Sequence, residues 1–434
     1  MSLHEFWETK TAPYQKKLQI VEGPDEPTVQ FPLIIAPQKP SGKETLLKEI
    51  SLLAAQESND GPSAIRQLLD ANGGAIHIKG TPLKDPHDFS DFLTALAGKG
   101  KDAWHPHVHI GMEVLRRPLA KNVMTTNEGP PSHFIGWHNE YAVSPVHPAY
   151  LVLFCQTPPG SGGETNIVSS LAVYDRLKKA APEFVEKCGS KGLVYQIPHT
   201  VNQVGGIVGG NGLYKENAFG PVNGDPSKLT DEEKCKGVEA RVLDLARRGG
   251  WSPEAAKDET LPAWQRRGFE WSWAENGDLE VIHRVPGTRL HPTQKIGGIF
   301  NAISTRYTNA KVNNTFEPPF TFKNSDGSEG MAIPPHFAGV DKDQVIPKEW
   351  LDRMDKYQHD LGSDIVWETG DILVIDVSDV ERSSMTVMTV TDAGVLQNFA
   401  VQHARWAWEG DRKIHASFWD QNGLIGEPLT TRVA

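Results

Sequence analysis

Tyr150–Leu–Val–Leu–Phe–Cys155 runs directly into Gln156–Thr–Pro–Pro–Gly–Ser–Gly–Gly163–Glu–Thr165. An apolar run of strand length, closed by Pro–Pro–Gly and Gly–Gly, reads as a buried strand feeding a turn. The same grammar repeats outward. Leu193–Ile197, Leu279–His283, Gly297–Asn301, Asp371–Asp376 and Phe399–Gln402 are short strand-like runs between Gly, Pro and Asn turns. Strands separated by such long loops predict a mainly β chain with peripheral helices and a double-stranded β-helix (jelly roll) core. The 40 glycines and 31 prolines also point away from a helical bundle.

Helices are expected mostly upstream. Ser41–Gly–Lys–Glu44 has the form of a capping box, and Leu46, Leu47, Ile50, Leu53 and Ala54 follow at helical spacing. A second helix should run from Ser63 to Ala71 and stop at Asn72–Gly73–Gly74. Ala75–Lys79 alternates like a strand. A third helix opens at Asp85–Pro86, with Phe89, Phe92, Leu93 and Leu96 as its buried stripe. Residues 1–40 are Pro-rich and read as extended chain wrapping the surface. Residues 200–275, rich in Gly, Asn and charge, read as a loop or lid region with one or two surface helices. No repeat or linker divides the chain, so 1–434 is expected to be a single domain.

Composition narrows the function classes. A net charge of −11 without a long Lys/Arg run repels phosphate backbones and argues against nucleic acid as a partner. The start, MSLHEFWETK, lacks the apolar core of a signal peptide, and no apolar run is long enough to span a membrane. Three widely spaced cysteines, Cys155, Cys188 and Cys235, read as reduced thiols of a cytoplasmic protein, with Cys155 in the core.

The chemistry starts at Trp137–His138–Asn139–Glu140. In a strand, side chains two apart share a face, so His138 and Glu140 can reach one metal. Imidazole and carboxylate suit Fe(II), and a distant second histidine would complete a facial triad. Phe134, Trp137 and Tyr141 flank this strand, either as pocket wall or as ordinary core.

Further motifs keep company with it. They are the Gln156–Thr165 turn, Gly74–Ala–Ile–His–Ile–Lys–Gly80, Arg289–Leu–His–Pro292 with Phe300–Asn301, and His403–Ala–Arg405–Trp–Ala–Trp–Glu–Gly–Asp–Arg412. In order and spacing the set resembles the TauD/TfdA family of Fe(II)/2-oxoglutarate-dependent dioxygenases, with its clavaminate synthase-like branch, over roughly residues 70–420. The resemblance implies that His138, Glu140 and His403 hold Fe(II). It implies that Arg412 pairs with the distal carboxylate of 2-oxoglutarate and that Thr165 supports the same group. A planar guanidinium suits such bidentate pairing. Arg405 is assigned either to a co-substrate oxygen or to bracing the strand end. Glu140 fills the position that related halogenases leave open, which excludes halogenation. Ala416 stands where some sulfonate-binding members carry a second arginine, so a taurine-type anion anchor is not expected.

The implied reaction consumes O2 and 2-oxoglutarate and releases succinate and CO2. It oxidises an unactivated C–H bond of a small polar substrate, an amino acid or a specialised metabolite. Hydroxylation is the default outcome, with desaturation or cyclisation as alternatives; a homo-oligomer is left open. Two rival readings stand beside it: a catalytically silent jelly-roll binding protein, and a zinc-dependent hydrolase using His138 and His403. The second leaves Thr165 and Arg412 without a role.

Weaker signals have bland readings. His105, His107 and His109 alternate and form a candidate second metal site without a nearby carboxylate in sequence. The run Gly205–Gly212 reads as a mobile loop rather than a phosphate cradle. The cationic residues in Arg241–Arg248 read as a solvated helix face.

One segment breaks the family pattern. Gly370–Asp371–Ile–Leu–Val–Ile–Asp376 begins the expected tail and Asn398–Phe–Ala–Val–Gln–His403 resumes it. Joining Asp376 to Asn398 would give GDILVIDNFAVQHAR, which matches the family. Val377–Gln397 is therefore read as an insertion, either a translated intron or a surface hairpin. Val–Ser can encode a splice donor and Leu–Gln an acceptor. An insertion so close to His403 could displace it and leave the chain inactive.

Overall fold

The computed structural model describes residues 6–39, 41–55, 62–100, 103–127, 129–204, 210–222, 224–291, 296–323, 327, 329–376 and 400–421. These residues form a mainly β chain with helices around it. In the largest sheet, Leu33–Pro37, Ala75–Ile78, Ile372–Asp376, Tyr150–Thr157 and Lys413–Gln421 lie side by side in that order. The first pair is parallel and the others antiparallel. Tyr150–Phe154 is zipped along both edges, and every residue of Tyr150–Cys155 is buried. That accounts for a run with no polar face. Tyr150, Val152 and Phe154 pack against Leu46, Ile50, Phe89 and Phe92 of the N-terminal helices. Leu151, Leu153 and Cys155 point the other way, as alternation requires, and meet Ile167, Val401 and Ile414.

A second sheet aligns Ser363–Ile365, Thr165–Ser169, Val401–Arg405 and Ile135–His138, all antiparallel. Its inward residues share one apolar cluster with those of the first sheet. A third sheet joins Glu270–Trp273, Leu279–Val285, Leu193–His199, His336–Phe337 and Gln344–Val345.

Most expected elements are present. Helices span Lys43–Leu53, Ala64–Ala71 and Pro86–Leu96, and Asp85 caps the third by accepting from the backbone N–H groups of His87 and Asp88. The capping box at Ser41 does not form. The N-cap is Gly42, and the Ser41 hydroxyl, one residue too early, has no partner. The N-terminal extension is more than a surface wrap, because Leu33–Ala36 is wholly apolar and fully buried inside the largest sheet.

Region 200–275 contains helix Asp231–Arg248, closed by a capping box between Thr230 and Glu233. Its cations are not merely solvated. Arg241 donates to the carbonyls of Glu216 and Gly220, and Arg248 pairs with Asp244. Most of the Gly205–Gly212 run lies outside the described residues, as does the suspected insertion, Val377–Gln397. The flanks of that insertion are described. The Asp376 N–H donates to the Gly74 carbonyl at 2.9 Å. A Cβ added to Gly74 would stand 2.2 Å from the Ala400 side chain, so that position, with φ +88°, has room only for glycine. Both flanks therefore converge on one residue.

Candidate metal centre

Strand Ile135–His138 brings in the first ligand and ends there. The expectation that Trp137–Glu140 is all strand needs correction. The Asn139 N–H leaves the sheet to bond the Asn301 carbonyl, and the backbone turns at Tyr141, φ 54°. The opposed directions of neighbouring side chains nevertheless survive. The Asn139 amide points into the core, donating to Ser170 Oγ and the Val401 carbonyl, while Glu140 faces the cavity. His403 enters from Val401–Arg405, whose register sets it opposite His138.

The three side chains converge. The imidazole centroids of His138 and His403 are 4.2 Å apart. Glu140 Oε2 lies 3.2 Å from His403 Nε2 and 4.0 Å from His138 Nε2. Candidate ligand atoms of all three fall within 4.8 Å of one another. The feared displacement of His403 is not seen. His138 Nδ1 donates to the Gly136 carbonyl at 2.9 Å, which turns the Nε2 lone pair toward the cavity. Burial, helped by neighbouring His403, pushes His138 down to about 4, so it stays a neutral ligand. Burial alone would raise the Glu140 carboxyl. Arg116 and His403 overcome it and hold the group well below the usual carboxylate range.

Arg116 was not legible in the sequence. Its Nη2 donates to Glu140 Oε1 at 2.8 Å, and its guanidinium packs over the Phe418 ring. One carboxylate oxygen is thereby occupied and Oε2 is left to face the imidazoles. Replacing Arg116 with Met should release the carboxylate and lower Fe(II) affinity by about 10–100-fold. Chelator competition measures this, and an unchanged affinity would count against the role.

The predicted co-substrate residues line the same cavity as the triad. Thr165 is buried and pairs in register with Arg405. Its Oγ1 accepts from Trp367 Nε1 at 3.1 Å, which leaves the hydroxyl proton available for donation. Arg412 donates Nε to the Gly163 carbonyl and packs over Trp408. Burial and nearby Arg405 push Arg412 down to about 10. Arg405 also borders the cavity, yet its terminal nitrogens donate to the carbonyls of Asn127, Pro130 and His133.

Other candidates resolve differently. Trp137 is core, donating to Asn166, and Phe134 stacks on Trp406, whereas Tyr141 and Ala416 line the cavity. The alternating histidines do not converge on a metal. His107 pairs with Asp420, His109 packs edge-on against Phe418, and His105 is exposed. Among the described residues, only His138, Glu140 and His403 form a group able to hold a metal ion. Cys155 and Cys188 are free and buried, and Cys235 is free and partly exposed. No helix among the described residues is long and apolar enough to cross a membrane.

Comparison with known proteins gives the family. The model of the family described as taurine catabolism dioxygenase TauD, TfdA matches residues 35–377. The match stops at the first residue of the suspected insertion, ahead of His403 and Arg412. A clavaminate synthase-like protein of Arabidopsis thaliana is 32% identical over 393 residues, covering 89% of this chain and 93% of that protein. Solved structures are more distant. AAD-2 in complex with Mn(II) and N-oxalylglycine has a TM-score of 0.38 at 10% identity, covering 95% of this chain and 98% of that one. A taurine dioxygenase from Burkholderia xenovorans has a TM-score of 0.38 at 12% identity, covering 96% and 90%. From the family match and the plant relative, the chain belongs to the TauD/TfdA family of Fe(II)- and 2-oxoglutarate-dependent dioxygenases.

Proposed function

We propose that this chain oxidises an unactivated C–H bond of a small polar substrate, with His138, Glu140 and His403 holding Fe(II) and Arg412 with Thr165 holding 2-oxoglutarate. The observation that carries this reading is the convergence of two imidazoles and a carboxylate in one cavity with an anion-seeking guanidinium. The donor set fits the metal: two imidazoles and one carboxylate suit Fe(II) and are fewer donors than its coordination sphere takes. When bound, iron and 2-oxoglutarate together supply the activation of O2, with succinate and CO2 released. The protein's own work is positional. The Gly136 carbonyl fixes the His138 tautomer, Arg116 limits Glu140 to one free oxygen, and Trp367 aims the Thr165 proton. Arg405, whose terminal nitrogens donate to the carbonyls of Asn127, Pro130 and His133, takes the bracing role of its two assignments. The two sheets that share the inner cluster support a double-stranded β-helix core.

Hydroxylation is the default product, because every alternative begins from the same oxidised carbon. The test is succinate formation from 2-oxoglutarate in air. Fe(II) should support it at least about tenfold better than Zn(II), since zinc has no redox chemistry. Equal rates with both metals, or none with iron, would favour the hydrolase or the silent binding protein.

Val377–Gln397 belongs to the same proposal as an extrinsic insertion. Its flanks meet at Gly74, and Asn398–Phe399 alone spans about 11 Å between Asp376 and Ala400. Excising the 21 residues should leave iron and 2-oxoglutarate binding intact. The shorter connection lowers closure entropy by about 2 kcal/mol, a rise in thermal midpoint of about 2 °C. Failure of the shortened chain to fold would make the segment integral. Mature transcript retaining its 63 bases would end the intron origin.

A further inference from the structure

Beyond the iron ligands the cavity contains charges that neither the metal nor 2-oxoglutarate requires. Arg306 lies on helix Ile303–Asn313 and lines the cavity with Thr305 and Asn309. Its one hydrogen bond among the described residues is from Nη2 to the Gln196 carbonyl, at 2.7 Å. No carboxylate there lies within ion-pair distance of it. Two buried arginines away from the cavity have carboxylate partners: Arg66 with Asp70 and Asp376, Arg284 with Glu270 and Asp343. Those pairs illustrate the rule that a buried charge needs a counter-charge. Arg306 departs from it at a cavity wall.

Glu113 is its complement. It lines the same cavity and feels the charges of Arg116, Glu140 and Arg306, yet has no ion-pair partner among the described residues. Burial pushes its carboxyl up and pushes the Arg306 guanidinium down. Glu140, Arg116, Glu113 and Arg306 thus bring two carboxylates and two guanidiniums to one cavity.

The helix bearing Arg306 is set firmly against the metal strand. A Cβ added to Gly136 would stand 2.9 Å from the Ser304 carbonyl oxygen, and Thr305 Oγ1 donates to the Gly136 carbonyl at 3.1 Å. Gly136 is also the residue that orients His138. The offset between Arg306 and the metal is thus fixed by backbone contact rather than by a loop.

We propose that Arg306 and Glu113 form the substrate subsite and that it takes a zwitterion. The substrate's carboxylate sits on the guanidinium of Arg306 and its ammonium on the carboxylate of Glu113. This rests on the dioxygenase reading above. It makes the substrate class a free amino acid.

The experiment uses the full chain, anaerobic, loaded with Fe(II) and 2-oxoglutarate. It follows the visible metal-to-ligand charge-transfer band while free L-amino acids are added, each beside its N-acetyl and methyl ester forms. Free amino acids should perturb the band, and either masked form should bind at least about tenfold more weakly. Arg306→Gln should remove discrimination against the ester, and Glu113→Gln discrimination against the N-acetyl form. Both variants should form the band at the parent's 2-oxoglutarate concentration. Masked forms binding as well as free ones, no amino acid perturbing the band, or unaltered discrimination in the variants would each overturn the subsite. Loss of the band in Arg306→Gln would make that arginine a co-substrate anchor instead. Absence of the band in the parent chain would defeat the iron reading itself, and the subsite with it.

Discussion

His403→Ala abolishes iron binding and turnover together. The imidazole is one of three groups able to meet the metal, and its Nε2 is closer to Glu140 Oε2 than that of His138. Loss of an outer partner costs a metal site about 10–100-fold in affinity, so loss of a ligand should exceed 10²-fold. Succinate formation should fall below about 1% of the parent rate, and raising iron a hundredfold should not restore it. The fold should survive, because His403 is partly exposed to the cavity and its strand is held by Thr165–Ser169. A variant that keeps near-parental iron affinity would remove His403 from the centre.

Arg412→Met separates co-substrate from metal. Among the described residues the guanidinium has only its Nε occupied, by the Gly163 carbonyl, and it lies in the cavity without an ion-pair partner there. Charge-assisted hydrogen bonds contribute about 1.5–3 kcal/mol each, so losing a bidentate pair should weaken 2-oxoglutarate by 10²-fold or more. Iron affinity should stay within about threefold, since Arg412 does not touch the ligand atoms. Titrating 2-oxoglutarate into iron-loaded protein measures both. Equal co-substrate affinity in parent and variant would move the anchor elsewhere.

The parts of this account legible in sequence are those written in short-range pattern. Tyr150–Cys155 announced a strand buried on both faces, and Asp85–Pro86 announced its helix start, because each reports its own environment. His138 and Glu140 were visible as neighbours, although the strand ends between them and a turn carries the second ligand. His403 was visible only by resemblance, since strand register rather than local pattern sets it opposite His138. Arg116, Glu113 and Arg306 were missed for a physical reason. An arginine looks alike in sequence whether it is solvated, paired with Glu140 or facing a cavity, and only the docking of helix Ile303–Asn313 on Gly136 decides it. Phe300–Asn301, immediately before that helix, was the nearest available signal. Ser41 failed as a cap for the opposite reason: its pattern was right, but the helix begins one residue later.

The most direct test is an anaerobic titration of the purified chain with Fe(II) in the presence of 2-oxoglutarate. A visible charge-transfer band should appear, saturate at about one iron per chain and be absent from Glu140→Ala. A parent chain that stays colourless, or a band of equal strength in that variant, would contradict the iron reading.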